Sequence, residues 1–113
     1  MNIKKEEWKT INSVLRELQI DKDSRQINMI KIHGPKESWL HFMTKVKICW
    51  DLYQKGHPFL TEAWANNRKS KFDIVDLLEN EVIEIDIKSK PNRKEIPTKI
   101  TRICAEPQAE RDF

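Results

Sequence analysis

Apolar residues recur at helical spacing near the start of the chain. In KEEWKTINSVLRELQ, residues 5–19, Trp8, Ile11, Val14, Leu15 and Leu18 fall on one stripe. Glu6 and Glu7 stand in the first turn, where the helix dipole favours negative charge. DKDSRQI is polar and reads as a loop, and NMIKIHG alternates as a short strand does. A second helix is predicted between Pro35 and Gly56. In SWLHFMTKVKICWDLYQK it aligns Trp39, Phe42, Met43, Val46, Cys49, Trp50 and Tyr53, a stripe we assign to the core. Lys45, Lys47 and Gln54 then belong to a solvated face.

After His57 the period changes to two. HPFLTEAW, KFDIVDLL, VIEIDIK and TKITRICA each read as strands. Two basic loops, NNRKSK and KPNRKEIP, separate them, and EPQAERDF is a polar tail. Between KFDIVDLL and VIEIDIK a two-residue turn is expected, at Glu79-Asn80 or Asn80-Glu81.

Composition narrows the function classes. With 113 residues, 38% hydrophobic and 35% charged, the chain is expected to form a single α/β domain over 1–113. Only 2 glycines are present, which leaves no Gly-rich phosphate loop, and a net charge of +3 is no polycation. Cys49 and Cys104 have no partners at metal-ligand spacing, which argues against zinc fingers and disulfide scaffolds and for a reducing, cytoplasmic setting. MNIKKEEWKT lacks an apolar signal core and no stretch approaches about 18 apolar residues, so neither secretion nor membrane insertion is expected.

Chemistry concentrates in FDIVDLLENEVIEIDIK, residues 72–88, where carboxylates sit among strand-forming isoleucines. Alternation sets Val82, Glu84, Asp86 and Lys88 on one face and Ile83, Ile85 and Ile87 on the other. On the preceding strand Asp73 goes with Val75 and Leu77. A turn at Glu79-Asn80 places Asp73 opposite Asp86, and one at Asn80-Glu81 places it opposite Lys88. Either register gathers Asp73, Asp86 and Lys88 on one face. Two carboxylates at roughly 5 Å repel unless a cation joins them, and oxygen ligands suit Mg²⁺ or Mn²⁺. Such an ion with a nearby lysine is the equipment for hydrolysing a phosphodiester.

KFDIVDLL…VIEIDIKSK resembles the core motif of the PD-(D/E)XK nuclease superfamily, the fold of many restriction enzymes and Holliday junction resolvases. Asp73 takes the place of the motif's first aspartate and Asp86-Ile87-Lys88 that of (D/E)-x-K. Glu62, in HPFLTEAW, takes the place of the glutamate that precedes them in many members. The likeness covers about residues 38–90. It departs from the pattern at Phe72, where proline is frequent, and at Asp86, where glutamate is common. The helix and strand that usually follow have only residues 89–113 in which to fit.

The resemblance implies a minimal restriction-endonuclease-like fold, with N-terminal helices packed on a small mixed β-sheet. The nuclease-like core would span about 38–105 and a helical extension about 1–34. It implies a Mg²⁺-dependent endonuclease acting on DNA, branched DNA or RNA. Asp73, Asp86 and Glu62 would be metal ligands, and Lys88 would orient or deprotonate the attacking water. Arg68, Lys69 and Lys71 in one basic loop and Lys90, Arg93 and Lys94 in the other would contact the nucleic-acid backbone. A homodimer would suit paired cuts. Glu84 is read as exposed, His33 and His41 as isolated, His57 as a turn residue and Trp64 as core. The alternatives are a non-catalytic nucleic-acid-binding or assembly domain with the same fold, and a protein-interaction module built on the tryptophan-rich helix.

Overall fold

The computed structural model describes residues 2–89 and 95–104, with side chains as far as Ile87. The protein is a small α/β structure. Helix α1, Lys5–Glu17, starts where the Glu7 carboxylate accepts a bond from the Lys4 amide at 2.9 Å. Ile11, Val14 and Leu15 form its buried edge, while Trp8 stays exposed.

Helix α2, Trp39–Gln54, is capped by Ser38, whose side chain accepts from the His41 amide at 3.0 Å. It ends at Gly56, whose φ of +75° suits a residue without Cβ. Its inward face is Lys45, Ile48, Cys49 and Leu52. This corrects the sequence expectation. The aromatic stripe points outward, with Trp39 74%, Trp50 61% and Tyr53 41% exposed, and Lys45 is the residue that is fully buried. Among the described residues no helix is long and apolar enough to cross a membrane.

Strands β1 (Phe59–Ala65), β2 (Ser70–Asp76), β3 (Glu81–Ser89) and β4 (Glu95–Cys104) form one sheet in chain order, each antiparallel to the next. The expected mixed sheet is therefore an antiparallel meander. The connections 66–69, 77–80 and 90–94 are turn-sized, and a parallel pair needs a crossover of about a dozen residues or more. The tail from residue 105 lies outside the described residues.

The helices cover opposite faces. Ile11, Val14 and Leu15 of α1 pack with Leu60, Ala63, Ala65, Val75 and Leu77. Ile48, Cys49 and Leu52 of α2 pack with Phe59, Ile74, Ile83 and Ile85. The N-terminal segment thus supplies half of the core rather than an appendage to it. The outer edge of β1 is shielded by residues 20–33. There the Asn28 amide donates to the Phe59 carbonyl at 2.8 Å and the Lys31 amide to Thr61 Oγ1 at 2.8 Å. NMIKIHG consequently does not join the ladder, because its bonds to β1 run largely through side chains.

Candidate functional site

Glu62 is where β1 stops alternating. Its φ is +47°, the left-handed region that side chains other than glycine rarely adopt. Leu60 and Ala63, three residues apart, both pack on the α1 side. Across the ladder the same thing happens. Phe72 and Val75, also three apart, pack on that side as well. The β1–β2 pairing runs from Thr61–Ile74 to Ala63–Phe72 without a shift, and the two positions skipped between are Glu62 and Asp73. Strict alternation would set both acids among the α1-side apolar residues. The paired irregularity turns them toward α2 instead, at the cost of one strained residue.

Once there, Glu62 is 4% exposed and meets cations. Its Oε2 lies 3.1 Å from Lys45 Nζ, and its Oε1 lies 2.8 Å from His33 Nδ1 and 3.2 Å from Lys71 Nζ. Lys45 Nζ also bonds Glu37 Oε2 at 2.9 Å and the Lys31 carbonyl at 2.5 Å. Glu37 in turn accepts from the His33 amide at 2.7 Å and pairs with His41 Nδ1. Burial opposes charge on Glu37, but the bonds from His33, His41 and Lys45 outweigh it and hold the carboxyl below its ordinary range.

Asp73 sits where the sheet opens. The β2–β3 ladder pairs Asp76–Glu81, Val75–Val82 and Ile74–Ile83, then ceases. Beyond that point Asp73 Oδ2 takes the Ile85 amide at 2.8 Å, so a side chain replaces the next backbone bond. His41 Nε2 is 3.5 Å from the same oxygen. Glu84 on β3 hydrogen-bonds Asp73. The turn Leu77–Asn80 holds four residues, not two, because the Asp76 carboxylate caps it by accepting from the amides of Leu78 and Glu79. That moves the register by two residues from the nearer expected pairing, an even shift that keeps Ile74 facing with Ile83. His57 supports this cap, with Nδ1 2.9 Å from Asp76 Oδ2.

Glu84 is therefore half-buried rather than exposed. Burial first, then the charge of Asp73, its side-chain hydrogen bond and the more distant Glu62, push the Glu84 carboxyl up to about 8. A carboxyl raised in the folded state favours folding while it is protonated, and that contribution is lost as pH rises from about 4.5 through about 8. Denaturation midpoints should accordingly fall across this window in the wild type. Glu84→Gln should flatten that slope, and an unchanged slope would show that Glu84 does not titrate there.

Ligand atoms of His33, Glu62 and Asp73 lie within 4.8 Å of one another. Glu62 and Asp73 are thus brought together, the arrangement that the resemblance implies for them. Asp86 is exposed on β3 and lies outside that group of donors. Lys88 continues β3, paired with Ile96, and its side chain lies outside the described residues.

No family model, curated protein or solved structure matches this chain. What the site can do must therefore be read from its own geometry.

Beside Glu62 and His33 opens a cavity of about 430 Å³, lined also by Lys31, Trp64, Arg68 and Lys71. Arg68 and Lys71 lie 5.3 and 5.2 Å from the Trp64 ring centre, so this tryptophan is a partly covered platform rather than core. Arg68 pairs with Asp23, Lys69 is exposed and Lys71 turns inward onto Glu62. Lys90, Arg93 and Lys94 lie outside the described residues.

His33, His41, Glu37, Lys45 and Glu84 escape a reading that looks only for the nuclease-like spacing. Glu37, His41 and Lys45 carried a signal nonetheless, since steps of four residues set all three on one helical face.

Proposed function

We propose that this protein is a metal-dependent nuclease built on a minimal restriction-endonuclease-like core, with DNA as the substrate class. The observation that carries the reading is the paired break in β1 and β2. A strained backbone is maintained where it turns Glu62 and Asp73 out of an apolar core and toward each other. Glu62 and Asp73 would hold the ion, with the His33 imidazole as a third donor and Glu84 beside them. Oxygen donors suit Mg²⁺, and the added nitrogen tilts the preference toward Mn²⁺. A raised Glu84 carboxyl fits as well, because a dication offsets the burial and the repulsion from Asp73 that keep it protonated. When bound, such an ion supplies an activated water and neutralises charge on the phosphoryl oxygens. Asp86 and Lys88 continue β3 away from Glu84, the lysine to orient or deprotonate the water. Arg68, Lys69 and Lys71, with Lys90, Arg93 and Lys94, would hold the backbone.

Incubation with plasmid and branched DNA, with and without Mg²⁺ or Mn²⁺, tests the activity. Binding has its own readout. Titration with Mn²⁺ near pH 7 should release about one proton, taken from Glu84 and visible as a buffer-dependent heat. Asp73→Asn should abolish both the heat and the proton release.

A second reading, a non-catalytic nucleic-acid-binding or assembly domain of the same fold, draws on Lys45. This fully buried ammonium already joins Glu37 and Glu62, as a self-neutralised structural cluster would. It predicts no Mn²⁺ heat and no cleavage, with nucleic-acid binding that weakens as salt rises.

A further inference from the structure

Most of the apolar stripe of α2 is not in the core. At about 100° per residue, Trp39, Phe42, Met43, Val46, Trp50 and Tyr53 lie within about 60° of the direction of Val46, and the buried Cys49 marks the margin shared with the core. The buried edge of α2, centred on Lys45, Ile48 and Leu52, points well away from it. Two shallow grooves flank the stripe. Ile30 closes one with Val46, Trp50 and Tyr53, and Ile32 closes the other with Trp39 and Phe42. The rings are already ordered against each other, Trp50 on Tyr53 at 6.0 Å and Trp39 beside Phe42 at 6.5 Å.

We propose that this face is the seat of a symmetric homodimer in which α2 packs antiparallel against α2 of a second copy. The choice of a second copy rests on the order of the stripe. Large apolar residues stand at equal and opposite offsets of four and seven about Val46: Phe42 and Trp50, then Trp39 and Tyr53. A two-fold axis through Val46 therefore sets Trp39 of one copy against Tyr53 of the other, Phe42 against Trp50, and Val46 against itself. This is the self-complementarity that an isologous interface requires. Charged Lys47, Asp51 and Lys55 are exposed and off the stripe, as a polar rim would be.

The area is sufficient. Trp39, Trp50, Tyr53, Ile30 and Ile32 are 74%, 61%, 41%, 37% and 68% exposed. Taking about 150–250 Å² for each aromatic side chain, they present on the order of 600 Å² of apolar surface per chain. Two copies would bury on the order of 1,200 Å², the lower edge of specific interfaces, and a patch of about 600 Å² per chain is at the upper end of what a monomer leaves exposed. The interface is distinct from the proposed metal site, since His33, Glu62 and Asp73 lie outside α2, and the α2 residues that contact them, His41 and Lys45, are off the stripe.

Sedimentation equilibrium over a concentration series tests this. The full chain should weigh twice its 13.5 kDa, and Trp50→Glu should return it to 13.5 kDa with an unchanged circular dichroism spectrum. Trp39→Glu and Tyr53→Lys should each give monomers, and the two combined in one chain should restore the dimer, because the new charges meet across the axis. A wild type that remains monomeric up to its solubility limit overturns the proposal, even where it binds some other helix or nucleic acid. A dimer unaffected by Trp50→Glu also overturns it, and so does a double variant that stays monomeric. Mn²⁺ binding by Trp50→Glu should match the wild type, so failure of the dimer and failure of the nuclease reading are seen separately.

Discussion

Lys45→Ala should lower the folding stability of this protein by about 3–5 kcal/mol, the cost of leaving buried carboxylates without their cation. The ammonium is the only group that contacts both Glu37 and Glu62 among the pairs described, at 2.9 and 3.1 Å, and no part of Lys45 is exposed. Its removal takes the shared cation from two buried acids, leaving Glu62 with His33 and Lys71 and Glu37 with His33 and His41, and it unpairs the Lys31 carbonyl. Urea denaturation measures the loss. The converse substitution separates the charge from its environment. Replacing Glu37 and Glu62 by glutamine and Lys45 by methionine at once should recover most of the stability, since a buried ionic cluster often does no better than an apolar one. A Lys45→Ala protein as stable as the wild type would mean that the ammonium is solvated and the cluster is not as described.

On the nuclease reading, Asp73→Ala, Asp86→Ala and Lys88→Ala should each abolish DNA cleavage, with rates down by at least about a hundredfold. The three differ in what else they do. Asp73 accepts the Ile85 amide at 2.8 Å in place of a backbone partner, so its loss should also lower stability. Asp86 is exposed and should cost little stability. Cleavage at wild-type rates by either β3 variant would end the assignment of Asp86 and Lys88. Loss of cleavage in Asp73→Ala alone would place the chemistry at the Glu62–Asp73–His33 group, without them.

Much of the fold was legible in the chain itself. The period of apolar residues located both helices and four strands, and strand parity kept Ile83 and Ile85 on the core side. The acids were legible too, because carboxylates within strand patterns are conspicuous. Parity survived at Ile74, Ile83 and Ile85 but was lost at Phe72 and Asp73, and the register moved as well. The hairpin turn proved two residues longer than expected, and a shift by an even number leaves each strand's faces in place. Its length was hidden because the Asp76 cap that sets it depends on His57, 19 residues earlier.

Local pattern determined where helices and strands form and which residues could carry chemistry, since periodicity and residue type are properties of the chain alone. Tertiary structure decided which face of α2 is inside. Amphipathic spacing marks the tryptophan side as apolar, but Glu37 and Glu62 demand a cation, so the Lys45 side went inward and left the aromatics outside. It also decided that Glu62 and Asp73 meet. Alternation assigns them to the opposite face, and only a left-handed residue in one strand, answered across the ladder by the other, could turn them together. Such a break arises from contacts distant in sequence, and for that reason no stretch of the chain announces it.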